Sequence, residues 1–210
     1  MNNTFLIEAF QTPPSVAENL IPYFEDLPQD QYVTQHNRYR TYARFSYNAH
    51  DFSRLAHHNF CQSSEINRAA GDIERHFAPM SDELIKTPEF QHLLSSFVHY
   101  IDVDLTHRII DVHQIRVTCN DHTTSSAAPE GIHQDGFEFV GIYCVQRKNI
   151  CGGFTQLFTS PVDQHPHLNT VLEENQFIII NDRHFYHFIS ETLASTHDEQ
   201  GVRDVFVFTA

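Results

Sequence analysis

The chain has 210 residues, of which 40% are hydrophobic and 19% are charged, a composition typical of a globular protein. Lys and Arg together number 13 against 27 Asp and Glu, which gives a formal net charge of −14. Such a surface repels phosphate backbones and anionic lipids, so we expect neither a nucleic acid nor a membrane as a partner.

The chain shows no targeting signal. Residues 1–8 have no basic start, and no stretch of 18 apolar residues occurs anywhere in the sequence. We therefore expect no signal peptide, no membrane span and a cytoplasmic location. None of the four cysteines forms a C-x-x-C pair, so we expect free thiols rather than a disulfide framework.

The first half of the chain is predicted to contain helices and one strand. Pro13 and Pro14 before Ser15 indicate the start of a helix, because proline fits the first helical turn. Residues 39–47 alternate in the manner of a strand. An apolar stripe predicts a helix over about residues 88–100, and Ser81 begins a capping sequence shortly before it.

After residue 108 the sequence reads as short strands separated by Gly, Pro, Asn and Asp. The predicted strands are Ile109–Thr118, Phe137–Val145, Gly153–Phe158, Gln176–Asn181 and Val202–Thr209. Several strands with this punctuation predict a sandwich or a barrel. We expect a single domain over residues 1–210, with a β core over about 109–210 and helical support over about 14–105.

The sequence His133-Gln134-Asp135 stands out among the 16 histidines. Residues i and i+2 of a strand face the same way, so an imidazole and a carboxylate would lie side by side. This pair of ligand types suits Fe(II). A third ligand must come from a later strand, where His184 and His187 face opposite ways and only one can point inward.

Arg203 begins an otherwise apolar inward strand, and its neighbour Asp204 is expected to face away in a structural role. A buried guanidinium needs an anion, which a dicarboxylate co-substrate would supply through a bidentate contact. Two His and one carboxylate on one side of an iron leave positions for a chelating keto acid and dioxygen. The order of an H-x-D motif, a distal His and an Arg indicates such an iron site more specifically than any one of these features alone.

Five segments carry a family resemblance: residues 113–116 (HQIR), 131–136 (GIHQDG), 149–153 (NICGG), 185–187 (FYH) and 202–209 (VRDVFVFT). On these segments the chain resembles the 2-oxoglutarate/Fe(II)-dependent dioxygenase family that includes bacterial L-isoleucine 4-hydroxylase. Weaker similarity extends back to the strand at residues 39–47, so the resemblance covers most of the chain.

The resemblance implies a double-stranded β-helix, a cupin-like jelly-roll barrel flanked by helices. It implies that His133, Asp135 and His187 are the metal ligands and the catalytic centre, and that Arg203 holds the distal carboxylate of 2-oxoglutarate. The required partners would be Fe(II), 2-oxoglutarate and O2, with 2-oxoglutarate decarboxylated to succinate. Because family members hydroxylate free aliphatic amino acids, the implied substrate is a small molecule, a free L-amino acid.

Four further residues are candidates for ligand contacts. Thr155 either donates a hydrogen bond to 2-oxoglutarate or is a strand threonine selected for β propensity. Gln114 and Arg116 share one face of their strand. If that face is the barrel interior, Arg116 binds the substrate's α-carboxylate; otherwise it pairs with a structural Asp or Glu. Phe137 would line an apolar substrate slot.

The substrate is not readable from the sequence. The sequence departs from the isoleucine enzyme within and beside the H-x-D motif, around Gln134, Gly136 and Phe137. The alternatives are the same oxidation on a peptide, a carrier-bound amino acid or another small metabolite, and a non-catalytic metal-binding jelly roll. The oligomeric state is also left open.

Overall fold

Antiparallel β-structure dominates the chain. The computed structural model describes residues 7–48, 51–63, 71–101, 108–122 and 124–210. Within these residues the strands are β1 Ile7–Gln11, β2 Arg38–Asn48, β3 Asp51–Arg54, β4 Ala78–Pro79, β5 Arg108–Cys119, β6 Phe139–Lys148, β7 Ile150–Gly152, β8 Phe154–Phe158, β9 Leu168–Val171, β10 Gln176–Asn181, β11 Tyr186–Ile189, β12 Thr192–Ala194 and β13 Gly201–Thr209. The helices are α1 Pro14–Leu20, α2 Asp82–Ile85, α3 Pro88–Ile101 and a 3-10 helix at Ile21–Phe24.

Two sheets form the body of the fold. The larger sheet has eight strands in the order β1-β10-β6-β13-β5-β2-β3, with β4 paired beside β2. The smaller sheet has the order β11-β8-β9, and β12 pairs with β7. The pairing of β2 with β4 is parallel, and the other strand pairings described are antiparallel. This two-sheet arrangement is a jelly roll, so the predicted fold class is confirmed.

The central strands of the large sheet carry apolar side chains on both faces, because successive residues of a strand point in opposite directions. One set packs with the helices: Phe139, Tyr143, Phe177, Phe206 and Phe208. The alternate set packs with Leu157 and Ile189 of the smaller sheet: Val140, Ile142, Ile178, Ile180 and Val205. The helices therefore cover the outer face of the large sheet, and the inner face lies against the smaller sheet.

The helices begin where the sequence predicts. Pro14 is the first residue of α1, and the Ser81 hydroxyl caps α2 by accepting a hydrogen bond from the Leu84 amide at 3.2 Å. The apolar stripe of α3 is buried, which confirms the helix predicted over about 88–100. Residues 102–105, the end of the predicted helical support, lie outside the described residues. None of the described helices is long and apolar enough to cross a membrane.

The five strands predicted after residue 108 are all present: β10 has the predicted bounds and the other four have shifted ends, while the strand predicted over residues 39–47 is β2. The strand predicted from Phe137 begins at Phe139. The strand predicted from Gly153 begins at Phe154, because Gly152 and Gly153 have positive φ of 77° and 66° and form the turn after β7. The sequence analysis missed seven short strands: β1, β3, β4, β7, β9, β11 and β12. The four cysteines are free.

The strand register aligns arginines on the inner face of the large sheet. Arg38 of β2 and Arg203 of β13 both pair with Val117 of β5, so the two arginines flank that valine in one row. On its other side Arg203 pairs with Arg147 of β6. Arg40, two residues after Arg38, lies on the same face one step along the strand. The inner face therefore concentrates positive charge.

Candidate metal and anion site

Three side chains converge at one end of the space between the sheets. One ligand atom from each of His133, Asp135 and His187 lies within 4.8 Å of the others. The Nε2 atoms of His133 and His187 lie 3.6 and 3.5 Å from the two carboxylate oxygens of Asp135. Two imidazole nitrogens and a carboxylate on one side of a metal leave its other positions open, the donor set of non-haem Fe(II) sites.

The backbone holds the two histidines together. The His133 amide donates to the His187 carbonyl at 3.0 Å, and the His187 amide donates back to the His133 carbonyl at 2.8 Å. His187 lies in β11, but His133 forms an isolated bridge and Asp135 lies in the loop before β6. The prediction that the H-x-D motif alternates along a regular strand is therefore wrong, although both side chains face the same point.

The Nδ1 atom of each histidine lies close to an oxygen atom of the protein. His133 Nδ1 lies 2.8 Å from the Gly131 carbonyl oxygen, which can only accept a proton, so Nδ1 is the donor and Nε2 is left for a metal. His187 Nδ1 lies 3.3 Å from Oδ1 of the buried Asp182, close but not aligned as a hydrogen bond. The other Asp182 oxygen accepts from the Gly136 amide at 2.9 Å. Asp182 therefore connects the two ligand-bearing segments.

Without a metal, the ligand cluster favours a protonated His133 beside an ionised Asp135. Burial opposes a charge on His133, but its hydrogen bond to Asp135 and the charges of Asp135 and Glu130 raise the pKa of His133 to about 9. Burial also opposes ionisation of Asp135, and the two histidines outweigh it and lower the pKa of that carboxyl. A bound cation would replace the proton as the partner of this carboxylate.

A cavity extends from the cluster across the inner face of the large sheet. Apolar side chains form most of this wall: Ile115, Val117, Val140, Ile142, Val205 and Val207. Arg203 and Phe137 also line the cavity. Phe137 thus lies where a substrate slot was predicted, and its role in binding stays a prediction.

The Arg203 guanidinium is buried in the cavity wall, and no acidic side chain of the described residues forms an ion pair with it. The residue is 2% exposed, and its Nε and Nη2 atoms have no hydrogen-bond partner among the described residues. Burial lowers the pKa of Arg203, and the nearby charge of Arg147 lowers it further. Since an unpaired buried cation is costly, this geometry fits a bound anion.

The turn next to Arg203 packs tightly. A Cβ atom at Gly153 would lie 2.9 Å from Thr192 Cγ2 and 3.1 Å from Arg147 Nη1, so a side chain there would crowd these two residues beside Arg203. The Thr155 hydroxyl, two residues along β8, is buried and also has no partner in the described part of the chain. Thr155 is not among the residues that line the cavity, and its contact with a ligand stays a prediction.

Two predicted substrate residues lie on the wrong face of β5. The side chains of His113, Ile115 and Val117 line the cavity. Gln114 instead accepts from the Thr41 hydroxyl at 2.7 Å and donates to the Tyr23 carbonyl at 2.8 Å. The prediction that Gln114 faces the substrate is therefore corrected.

Arg116 makes a structural ion pair. Its Nε and Nη2 atoms donate to the two oxygens of the fully buried Asp204, each at 2.7 Å. This is the structural alternative considered for Arg116, and it also explains why Asp204 faces away from Arg203. The prediction that Arg116 binds a substrate carboxylate is corrected, because its Nε and Nη2 atoms are already paired with Asp204.

The sequence analysis missed several polar residues of the cavity. Arg38, Arg40 and Arg75 line it on the side of β2, and Glu130 lies beside His133, with a carboxylate oxygen 3.4 Å from the His133 Nε2 atom. The alternation of Arg38 and Arg40 on one strand face was a visible signal. Arg75 lies in an irregular segment, and no sequence pattern indicated that its side chain would line the cavity.

Comparison with known proteins agrees with this geometry. The family model described as 2OG-Fe dioxygenase matches residues 21–209. No curated protein matches the sequence.

Solved structures share the fold over nearly the whole chain. A bsmA homologue from Methylobium petroleophilum PM1 superposes with a TM-score of 0.80 at 25% identity, covering 94% of this chain and 81% of that one. IDO from Bacillus thuringiensis gives a TM-score of 0.78 at 18% identity, covering 93% and 85%. The Fe(II)/α-ketoglutarate-dependent dioxygenase TqaL gives 0.69 at 17% identity, covering 94% and 74%.

Proposed function

This chain belongs to the 2OG-Fe dioxygenase family, and we propose that it hydroxylates an aliphatic C–H bond of a free L-amino acid. Members of the family are enzymes that use Fe(II), 2-oxoglutarate and O2. In each turnover 2-oxoglutarate would lose carbon dioxide and become succinate, and the substrate would gain a hydroxyl group.

The observation that carries the proposal is one cavity with two kinds of site. A His-Asp-His cluster of metal ligands opens into the same space as the buried, unpaired Arg203. A metal site alone would also suit storage or sensing. The additional buried cation supports a co-substrate with a carboxylate to neutralise it, because Arg203 has no acidic partner in the part of the chain that the structure describes.

Each residue has a defined task in this proposal. His133, Asp135 and His187 would hold the iron, which when bound supplies the redox chemistry for the reaction with O2. Asp182 would keep the imidazole of His187 in place through its Nδ1 side. Arg203 would fix the far carboxylate of 2-oxoglutarate, so that the keto acid end is directed towards the metal.

The cavity wall supports an aliphatic target. Its valines and isoleucines offer no hydrogen bonds to a substrate side chain, and they exclude water from the space beside the metal ligands. A carbon chain packed against this wall would be desolvated and held near the ligand cluster. This wall is the reason to propose an unactivated C–H bond as the site of attack.

The test is an anaerobically reconstituted assay with Fe(II) and 2-oxoglutarate, started by adding air, against each of the twenty L-amino acids. We expect succinate release stimulated by one or a few aliphatic amino acids, with a product one oxygen atom heavier by mass spectrometry. A matched control is His187→Ala, which should give no succinate.

Other outcomes identify the alternatives. Stimulation only by a peptide or by a carrier-bound amino acid would replace the free amino acid as substrate class. A protein that binds iron and 2-oxoglutarate but forms no succinate under any condition would contradict the enzymatic proposal and favour a binding function.

A further inference from the structure

A second group of cations lies in the cavity, apart from Arg203. Arg38, Arg40 and Arg75 line the wall on the side of β2. Asp30 is the carboxylate that pairs with this group; its Oδ2 atom lies 2.8 Å from Arg38 Nε and 4.0 Å from Arg40 Nη1. The three guanidinium groups share this one directly paired carboxylate, while Glu130 and Asp135 act on them without a direct ion pair. We call the three arginines the β2 arginine pole.

Aromatic rings hold two of these arginines in fixed orientations. The guanidinium carbon of Arg40 lies 4.4 Å from the centre of the Phe77 ring, and that of Arg75 lies 4.8 Å from the centre of the Phe60 ring. Contact with a ring uses the face of a guanidinium and leaves its in-plane N–H groups available. The rings thus restrict the two side chains without satisfying their donors.

One buried donor of the pole, the Arg75 Nε atom, has no partner within the described part of the chain. Arg75 donates from Nη2 to Gln62 at 2.6 Å, while its Nε atom is buried without a partner among the described residues. Arg40 donates from Nε to His113 Nδ1 at 3.0 Å. Burial and the charges of Arg38 and Arg75 lower the pKa of Arg40 to about 9, despite the opposing effect of Asp30.

His113 adds a neutral donor. Arginine can only donate, so His113 Nδ1 must accept from Arg40, and the ring proton therefore lies on Nε2. That Nε2 atom is buried and has no partner in the described part of the chain. Burial first, and then the three arginines, hold the pKa of His113 well below its ordinary value, so the ring stays neutral.

We propose that Arg40, Arg75 and His113 recognise a carboxylate of the substrate, and that the enzyme therefore takes a free carboxylic acid rather than an amide, an ester or a carrier-bound acyl group. This rests on the proposed function and narrows its substrate class. Arg203, on the opposite side of Val117 from Arg38, is left for 2-oxoglutarate. Glu130, beside His133, faces the same space and supplies an acidic partner for the ammonium group of an amino acid.

The experiment is a binding titration of the protein loaded with Mn(II) and 2-oxoglutarate under nitrogen, which prevents turnover. The probes are the twenty L-amino acids, and then the primary amide of the best binder. We expect the amide to bind at least about 10-fold more weakly, because it cannot form charge-assisted hydrogen bonds with the arginines.

Variants then test whether the arginines of the β2 arginine pole bind the carboxylate of the amino acid. Arg75→Gln should weaken the best amino acid by about 10- to 100-fold and leave the affinity for 2-oxoglutarate unchanged. Arg183→Gln, at an arginine whose side chain is 71% exposed, is the matched control and should change neither. Arg40→Lys keeps the charge but loses the planar set of guanidinium donors. Its affinity for the amino acid provides the test if Arg75→Gln does not fold.

The outcomes separate this inference from the proposed function. Equal binding of acid and amide, or a loss of 2-oxoglutarate affinity in the pole variants with substrate affinity intact, would overturn the inference while leaving the enzymatic proposal in place. Failure of every free carboxylate probe to bind would overturn it as well. Succinate formation in air, measured separately, reports on the enzymatic proposal.

Discussion

Arg203→Met should change stability and co-substrate binding in opposite directions. The guanidinium is buried, and two of its nitrogens have no partner. Removing an uncompensated buried charge and filling its volume with an apolar side chain should stabilise the metal-free protein, by about 1–4 kcal/mol. The same change would remove the two charge-assisted contacts that we propose Arg203 makes to 2-oxoglutarate, each contributing about 1.5–3 kcal/mol, so affinity should fall at least about 100-fold.

Arg38→Met is the matched control, because Arg38 occupies the same row of the sheet on the other side of Val117. Arg38 differs from Arg203 in having a buried carboxylate partner, Asp30, at 2.8 Å. Removing Arg38 leaves the buried Asp30 with only the more distant Arg40 Nη1 atom, at 4.0 Å, so this variant should lose stability, by up to about 3–5 kcal/mol. Neighbouring arginines in one row should therefore give stability changes of opposite sign.

The measurements are urea unfolding of the metal-free variants and calorimetric titration of 2-oxoglutarate into the Mn(II)-loaded proteins. Arg203→Lys should keep part of the affinity, since it retains the charge but loses the planar fork. The reasoning is refuted if Arg203→Met unfolds at lower urea concentration than the wild type and binds 2-oxoglutarate equally well. Arg203 would then have a structural role.

Three further predictions concern the proposed metal ligands and the ion pair between Arg116 and Asp204. His187→Ala should abolish iron binding in a metal analysis while His184→Ala retains it; unchanged iron content in the first variant would remove His187 from the ligand set. The pKa of His133 is raised to about 9 in the metal-free protein, so at pH 7 metal binding must displace its proton and should weaken by about tenfold per pH unit of acidification. Calorimetry in two buffers of different ionisation enthalpy should detect about one proton released per metal ion, and zero release contradicts this. Arg116→Met strips the buried Asp204 of its partner and should cost about 3–5 kcal/mol in urea unfolding; a neutral effect would mean that the pair is not structural.

Local sequence patterns were sufficient for the longer strands and for placing His133 and Asp135 together. Alternation and turn residues identified six strands, β2, β5, β6, β8, β10 and β13, and the two-residue spacing of His133 and Asp135 indicated a shared ligand direction. The local structure differs, since Asp135 lies in a loop. The spacing still succeeded, because the bridge from His133 to His187 fixes the motif against β11. Strand alternation alone left His184 and His187 undecided, and the family resemblance made the choice.

The face of β5 could not be read from its sequence. A half-buried strand shows which side faces water, but β5 is covered on both sides and carries polar residues on both. His113 faces the cavity and Gln114 faces the opposite side, and both are almost fully buried. An error of one residue in assigning the inner face moves every side chain to the other side. This is why Arg116 was assigned to a substrate that it does not face.

The cavity also shows what net charge does not reveal. The protein carries a formal charge of −14, yet four of its 13 basic residues line one cavity. Composition reports on the outer surface, where acidic groups repel polyanions at long range. The arginines act over a few ångströms in a space where burial strengthens charge interactions. An acidic exterior and a basic interior are therefore compatible. Together they favour a small anion, which can enter the cavity completely, over a polymer whose charges must remain on the surface.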